Sequence, residues 1–110
     1  MIVIIQGESY PIPVLIQYKA EDLTMQPVAP EHVNKVEMTF GTIKKYYPGD
    51  ITYDEDTKMF NFPLTQNETL SLSGAILMQV RCLFKNGNVK AYILDPIKIR
   101  KGFSSVILEV

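Results

Sequence analysis

Ala75-Ile76-Leu77-Met78-Gln79-Val80-Arg81-Cys82-Leu83-Phe84 runs into Lys85-Asn86-Gly87-Asn88 and returns along Val89-Lys90-Ala91-Tyr92-Ile93-Leu94-Asp95-Pro96-Ile97-Lys98-Ile99. Asn-Gly between two apolar-patterned runs is the strongest short-range hairpin signal, because the favoured turn needs positive φ at both central residues. In the outgoing run Ile76, Met78, Val80, Cys82 and Phe84 share one face, and Gln79 and Arg81 lie between Leu77 and Leu83 on the other. In the return run Val89, Ala91 and Ile93 are read as inward, opposite Lys90 and Tyr92. Asp95-Pro96 interrupts the strand as a bulge before Ile97 and Ile99 alternate with Lys98 and Arg100.

The same grammar extends upstream. Ile51–Tyr53, the turn Asp54-Glu55-Asp56-Thr57 and Lys58–Leu64 read as strand, turn, strand. Thr65 and Glu68 match a capping box, in which hydroxyl and carboxylate each satisfy a free amide at a helix start, and Leu70 and Leu72 close that single turn onto the core. Val33–Phe40 alternates, with Val36, Met38 and Phe40 on one side and Lys35, Glu37 and Thr39 on the other. Gly41 breaks the run, Thr42–Tyr47 continues it, and Pro48-Gly49-Asp50 turns the chain.

Met1–Gln6 is β-branched and short, as suits a strand covered on both faces or one at a sheet junction. After Gly7-Glu8-Ser9, extended structure resumes over Tyr10–Tyr18. Pro11 and Pro13 cannot donate ladder hydrogen bonds, which puts them on a sheet edge, while Val14–Tyr18 reads as strand. Lys19–His32 reads as a connection between sheets, carrying one helical turn through Ala20, Leu23 and Met25. Seven to eight short strands with turns at these intervals define an all-β expectation: one small antiparallel β-sandwich, immunoglobulin-like, over residues 1–110, with one short helical turn.

The bulk composition agrees. A chain of 110 residues that is 46% hydrophobic has enough apolar mass for a core without metals or disulfides. A net charge of −1 with scattered acids and bases provides no long-range field for nucleic acid or an anionic membrane. The lone Cys82 has no internal disulfide partner. Ile2–Ile5 lacks the basic start and the length of a secretory signal, and no apolar run approaches the ~20 residues of a membrane span. A soluble protein without a signal peptide is expected.

Residues that carry chemistry elsewhere find no partners here. His32 is the only histidine and reads as a solvent-facing loop residue; Cys82, on an inward strand face, reads as core rather than nucleophile. Asp54-Glu55-Asp56 lacks the interleaved spacing and glycine of a calcium loop. Asn67-Glu68-Thr69 fits a glycosylation triplet without consequence in a chain lacking a signal peptide. Lys44, Lys45, Tyr46, Tyr47 and Lys58 resemble a basic–aromatic patch for single-stranded nucleic acid, without overall positive charge behind it. No catalytic, cofactor-binding or metal-ligating residue is assigned, and the chain is expected not to be an enzyme.

Three segments in order carry a resemblance: Ile2-Val3-Ile4-Ile5-Gln6-Gly7-Glu8-Ser9-Tyr10, then Phe62-Pro63-Leu64-Thr65-Gln66-Asn67-Glu68-Thr69-Leu70, then Met78-Gln79-Val80-Arg81 with Asn86-Gly87-Asn88. This order resembles short proteins encoded in phages and prophages of Firmicutes. These carry a leucine-threonine-glutamine-x-glutamate-threonine-leucine stretch, then a glutamine-valine-arginine strand and a glycine turn. The resemblance implies a virion component, a small β-sandwich akin to the N-terminal domains of phage baseplate upper proteins, made in the bacterial host cytoplasm. Two features depart from that pattern: Lys19–His32 is longer than the corresponding connection, and the C-terminus is apolar rather than acidic.

The leading expectation is therefore a non-catalytic structural component of a phage particle (tail, baseplate or head accessory protein). Its partners would be other virion proteins and copies of itself, with no nucleic acid, membrane or cofactor. A carbohydrate- or ligand-binding module is the alternative, with Tyr46, Tyr47, Tyr53 and Tyr92 as an aromatic platform; alternation sends Tyr46 and Tyr47 to opposite faces, against it. A non-catalytic accessory domain serving the host is a third. Ser105–Val110 is β-prone and nearly uncharged, so left unpaired it is an aggregation template. The expected interface combines Val106, Ile107, Leu108 and Val110 with the edge at Pro11 and Pro13.

Overall fold

Runs of period-two alternation along this chain are short, and so are the strands they form. The computed structural model describes residues 2–109. In chain order the strands are β1 (Val3–Ile5), β2 (Tyr10–Val14), β3 (Gln17–Lys19), β4 (Met25–Pro27), β5 (Val33–Phe40), β6 (Ile43–Tyr47), β7 (Thr52–Asp54) and β8 (Met59–Leu64). A short helix α1 (Gln66–Leu70) follows, then β9 (Gly74–Ile76), β10 (Met78–Phe84), β11 (Val89–Ile93) and β12 (Ile97–Arg100). They form a four-stranded sheet ordered β11-β10-β5-β6, a three-stranded sheet β2-β8-β7, a second three-stranded sheet β1-β12-β9 and the hairpin β3-β4. β1 and β12 run parallel; the other pairings are antiparallel. The result is a small, mostly-β domain of many short antiparallel strands with one short α-helical turn, and a 3-10 turn at Pro30–His32 leads into β5.

The core lies where the inner faces of the first two sheets meet. Val36, Met38 and Phe40 of β5 and Met78, Val80 and Cys82 of β10 are buried, as their alternation predicts. From the facing sheet come Ile12, Val14, Phe60, Phe62 and Leu64, and Ile4, Ile97 and Ile99 of the third sheet join the same cluster. The Phe40 and Phe62 rings pack 6.1 Å apart, and Tyr47 and Tyr53 meet Phe60 edge-on at 5.2 and 4.9 Å. Fully burying each such phenylalanine contributes about 1.5–3 kcal/mol.

Several elements differ from what the sequence predicts. The long hairpin is two hairpin levels: its outgoing arm breaks at Leu77 and its return arm at 94–96, so β10 and β11 stay in one sheet while β9 and β12 pass into another. Val14–Tyr18 is not one strand, because the ladder stops after Val14 and restarts at Gln17. Lys19–Gln26 holds no helical turn; β3 and β4 close a hairpin there, with Leu23 in the left-handed region (φ 69°) and the Asp22 carboxylate accepting from the Thr24 amide at 3.1 Å. Such an Asx turn reverses the chain without glycine. Met1 of the expected first strand lies outside the described residues.

β11 departs furthest from its expected face. Phe84 accepts from the Gly87 amide and donates to the Asn88 carbonyl, both at 2.9 Å, and Gly87 (φ 90°) is the loop residue with positive φ. This is a three-residue loop, Lys85-Asn86-Gly87, a type I turn closed by a left-handed glycine. Leu83 therefore pairs with Val89, Cys82 with Lys90 and Val80 with Tyr92. A two-residue Asn-Gly turn would set Phe84 opposite Val89, and a one-residue difference reverses every side chain. Val89, Ala91 and Ile93 face outward; Tyr92 and Leu94 pack against the core instead.

Candidate functional site

β11 ends the four-stranded sheet, and no strand among the described residues pairs with its far side. Asn88 and Leu94 bond inward, to Phe84 and Met78. Antiparallel ladders alternate, so Lys90 and Tyr92 bond inward too, and the amides and carbonyls of Val89, Ala91 and Ile93 point off the edge. The same residues put an apolar row on the sheet's outer face, with Val89 59% and Ile93 73% exposed. On the core side of β11 a mostly apolar groove of about 240 Å³ is lined by Leu15, Ile16, Met25, Val80, Tyr92 and Leu94, with Gln17 as its one amide side chain. An extended segment laid along this edge would find backbone partners, an apolar row on one side and an apolar groove on the other.

The other long edges are blunted. β2 carries Pro11 and Pro13, both exposed, where the expected interface placed them. Their positions lack the outward donors a neighbouring strand needs. β6 carries Lys44 and Lys45, and Lys45 points inward from the edge. Its ammonium donates to the Pro63 carbonyl and to Glu68 Oε1 (2.8 Å) and sits 5.3 Å from the Phe62 ring centroid. An inward charge on an edge strand is a recognised device against edge pairing. The remaining outer strands β1, β3, β4, β7 and β9 have three residues each.

Val106, Ile107 and Leu108 belong to no sheet. Val106 is 69% and Leu108 77% exposed, Ile107 is half-buried, and Val110 lies outside the described residues. Two glutamines tie down the chain after β12. Gln6 Oε1 accepts from the Gly102 amide at 3.2 Å while its Nε2 donates to the Leu72 carbonyl at 2.7 Å. A Cβ at Gly102 would sit 2.9 Å from the Gln6 carbonyl oxygen, so the close approach requires glycine. Gln66 donates to the Leu108 carbonyl and accepts from the Leu108 amide, both at 2.9 Å, so one carboxamide stands in for a rung of β-ladder. Both glutamines lie in segments that carry the resemblance, but only the fold reveals their bonding role.

The Thr65–Glu68 capping box forms as its spacing predicts: the Thr65 hydroxyl accepts from the Glu68 amide at 3.2 Å, and Glu68 Oε1 accepts from the Thr65 amide at 2.9 Å. Burial opposes ionisation of Glu68, but Lys45 and the Thr65 amide outweigh it and hold the carboxyl below its ordinary value. Thr69, of the glycosylation triplet, is fully buried; its hydroxyl donates to the Glu8 carbonyl at 2.8 Å and accepts from the Gly7 amide at 3.0 Å. Polar composition hid this tie between α1 and the first turn.

The basic–aromatic patch is divided. Lys44 and Tyr46 face out while Lys45 and Tyr47 face in, and Lys35 lies 4.5 Å over the Tyr46 ring. Tyr47, Tyr53 and Tyr92 pack against the core, so the four tyrosines share no exposed platform. His32 is only partly exposed: its Nδ1 accepts from the Ala29 amide at 2.9 Å and its ring meets Tyr18 edge-on at 5.0 Å. Asp54 Oδ1 accepts from the Asp56 amide at 2.9 Å, spending that carboxylate on its own turn. Burial pushes the Cys82 thiol up to about 11, far from a reactive thiolate at neutral pH. Among the described residues no cluster of three or more His, Cys, Asp or Glu side chains is placed to hold a metal, and no helix is long and apolar enough to cross a membrane.

What the fold and this edge define is a small mostly-β domain with, among the described residues, one open, apolar-flanked five-residue strand edge. Comparison with protein-family models, curated proteins and solved structures returns no match.

Proposed function

We propose that this chain is a non-catalytic structural component of a bacteriophage particle, in a tail, baseplate or head accessory position, working through protein–protein contacts. The observation that carries the contact role is the open edge of β11 with Val89, Ala91 and Ile93 turned outward. An exposed apolar row on an unpaired edge is a liability for a solitary domain and an asset for one that assembles. The phage assignment is supported by the segments Ile2–Tyr10, Phe62–Leu70 and Met78–Arg81 with Asn86-Gly87-Asn88. The finer architecture we propose is an immunoglobulin-like sandwich; it is supported by the shared core of the β11-β10-β5-β6 and β2-β8-β7 sheets. Mass spectrometry of purified particles from a host carrying the gene tests the role. The chain should be present at a fixed stoichiometry, and its absence from intact particles would overturn the assignment.

Ligand binding keeps one observation in its favour, a hollow of about 380 Å³ among Tyr18, Glu31, His32, Phe84, Lys85 and Asn86. Its aromatic and charged lining suits a small polar ligand better than the divided tyrosines suit a saccharide. Saccharide binding at that hollow, abolished by Tyr18→Ala in a folded protein, would favour it over assembly.

A further inference from the structure

We propose that the segment Ser104–Glu109 of one copy adds as an antiparallel strand to the β11 edge of a second copy. The inference rests on the assembly reading for its purpose and names the partner at that edge. Three features converge. β11 offers outward backbone groups at Val89, Ala91 and Ile93, a spacing that only an extended segment with its own groups at every second residue can match. Ser104–Glu109 is such a segment, outside every sheet, with Val106 and Leu108 exposed two residues apart. Among the five-residue edges, β2 and β6 are blunted by proline and lysine, which leaves β11.

The side chains select one register. With Val106 beside Ile93 and Leu108 beside Ala91, both aliphatics extend the outer apolar row. Ile107 then falls beside Tyr92, over the groove lined by Leu15, Met25 and Leu94. Glu109 falls beside Lys90, pairing the single acid of the segment with the single base of the strand. Cross-strand pairs of opposite charge and of aliphatic neighbours are the favourable ones. In this register Leu108 turns its amide and carbonyl toward β11, the two groups that the Gln66 carboxamide holds within its own chain. Gln66 is thus the competitor, keeping the segment docked on α1 until a second copy displaces it.

Sedimentation of the full chain across a concentration series tests the proposal. Association should be concentration-dependent, and Gln66→Ala should shift it to lower concentration. Ala91→Pro removes an outward amide that the β10 ladder does not use, and should weaken association about tenfold or more. Should that variant fail to fold, charge reversal decides. Lys90→Glu and Glu109→Lys should each weaken association, and the two together should restore it. A chain that stays monomeric throughout, or association indifferent to these changes, would overturn strand addition. A dimer with the expected variant pattern in a protein absent from particles would overturn the phage assignment and leave strand addition standing.

Discussion

Leu83 stands opposite Val89 across the β10–β11 hairpin, and that single pairing decides which side of β11 meets solvent. The Lys85-Asn86-Gly87 loop has one residue more than a two-residue turn, so Val80 faces inward beside Tyr92 while Ile93 faces out beside Gln79. The aliphatic row that a shorter turn would have sent to the core becomes the apolar flank of an open edge.

Charge placed on each side of this hairpin tests the face assignment. Val80 is fully buried, so Val80→Asp puts an unpaired carboxylate in the core and should cost several kcal/mol, on the order of the whole stability. Ile93→Asp lies on the solvent face and should change stability by no more than about 0.5 kcal/mol. Urea denaturation of both variants is the check, and the opposite ranking would show that the register is wrong.

The parts legible in the sequence were those where alternation alone suffices. Val36, Met38 and Phe40, like Met78, Val80 and Cys82, declare their face without reference to any neighbour. Thr65 and Glu68 declare a cap, since both partners lie within one turn. The face of β11 was not legible, because it depends on whether Lys85 belongs to strand or loop, and the Asn-Gly pair fits both. The β3–β4 hairpin was hidden because Leu23, a residue without turn character, takes the left-handed position, while backbone bonds between Ala20 and Leu23 and between Ala20 and Thr24 close the turn and the Asp22 carboxylate braces it from within. Gln6 and Gln66 were invisible because their bonds span 96 and 42 residues of chain.

Acid should loosen the junction between β6, β8 and α1. The Glu68 carboxyl is held below its ordinary 4.5 in the folded chain. Folding therefore favours the ionised form, and the stability this gives is present above about pH 4.5 and lost as pH falls through the folded value. Glu68→Gln should lose stability near pH 7 and flatten the acid limb below pH 4.5 relative to the parent, measured by denaturant titration at a series of pH values. Identical acid limbs would show that the Lys45–Glu68 contact contributes nothing. Thr65→Ala removes the other half of the cap and should cost about 1 kcal/mol at either pH.

Tyr53 carries a phenol oxygen that is buried without a hydrogen-bond partner among the described residues, while its ring packs on Phe60. Burial raises its pKa above the ordinary value, which keeps the group neutral. Tyr53→Phe keeps the ring and removes the unsatisfied hydroxyl, so stability should be unchanged or rise by about 1 kcal/mol. A clear loss by calorimetry would mean that the hydroxyl is engaged.

Amide hydrogen exchange along β11 tests the open edge most directly. At low concentration the amides of Lys90, Tyr92 and Leu94, bonded to β10, should be protected, and those of Val89, Ala91 and Ile93 should exchange freely. Raising the concentration of the full chain should protect Ala91 and Ile93 selectively, as a second strand takes up their outward groups. Protection of Ala91 and Ile93 already at high dilution, or free exchange at every concentration, would contradict the account.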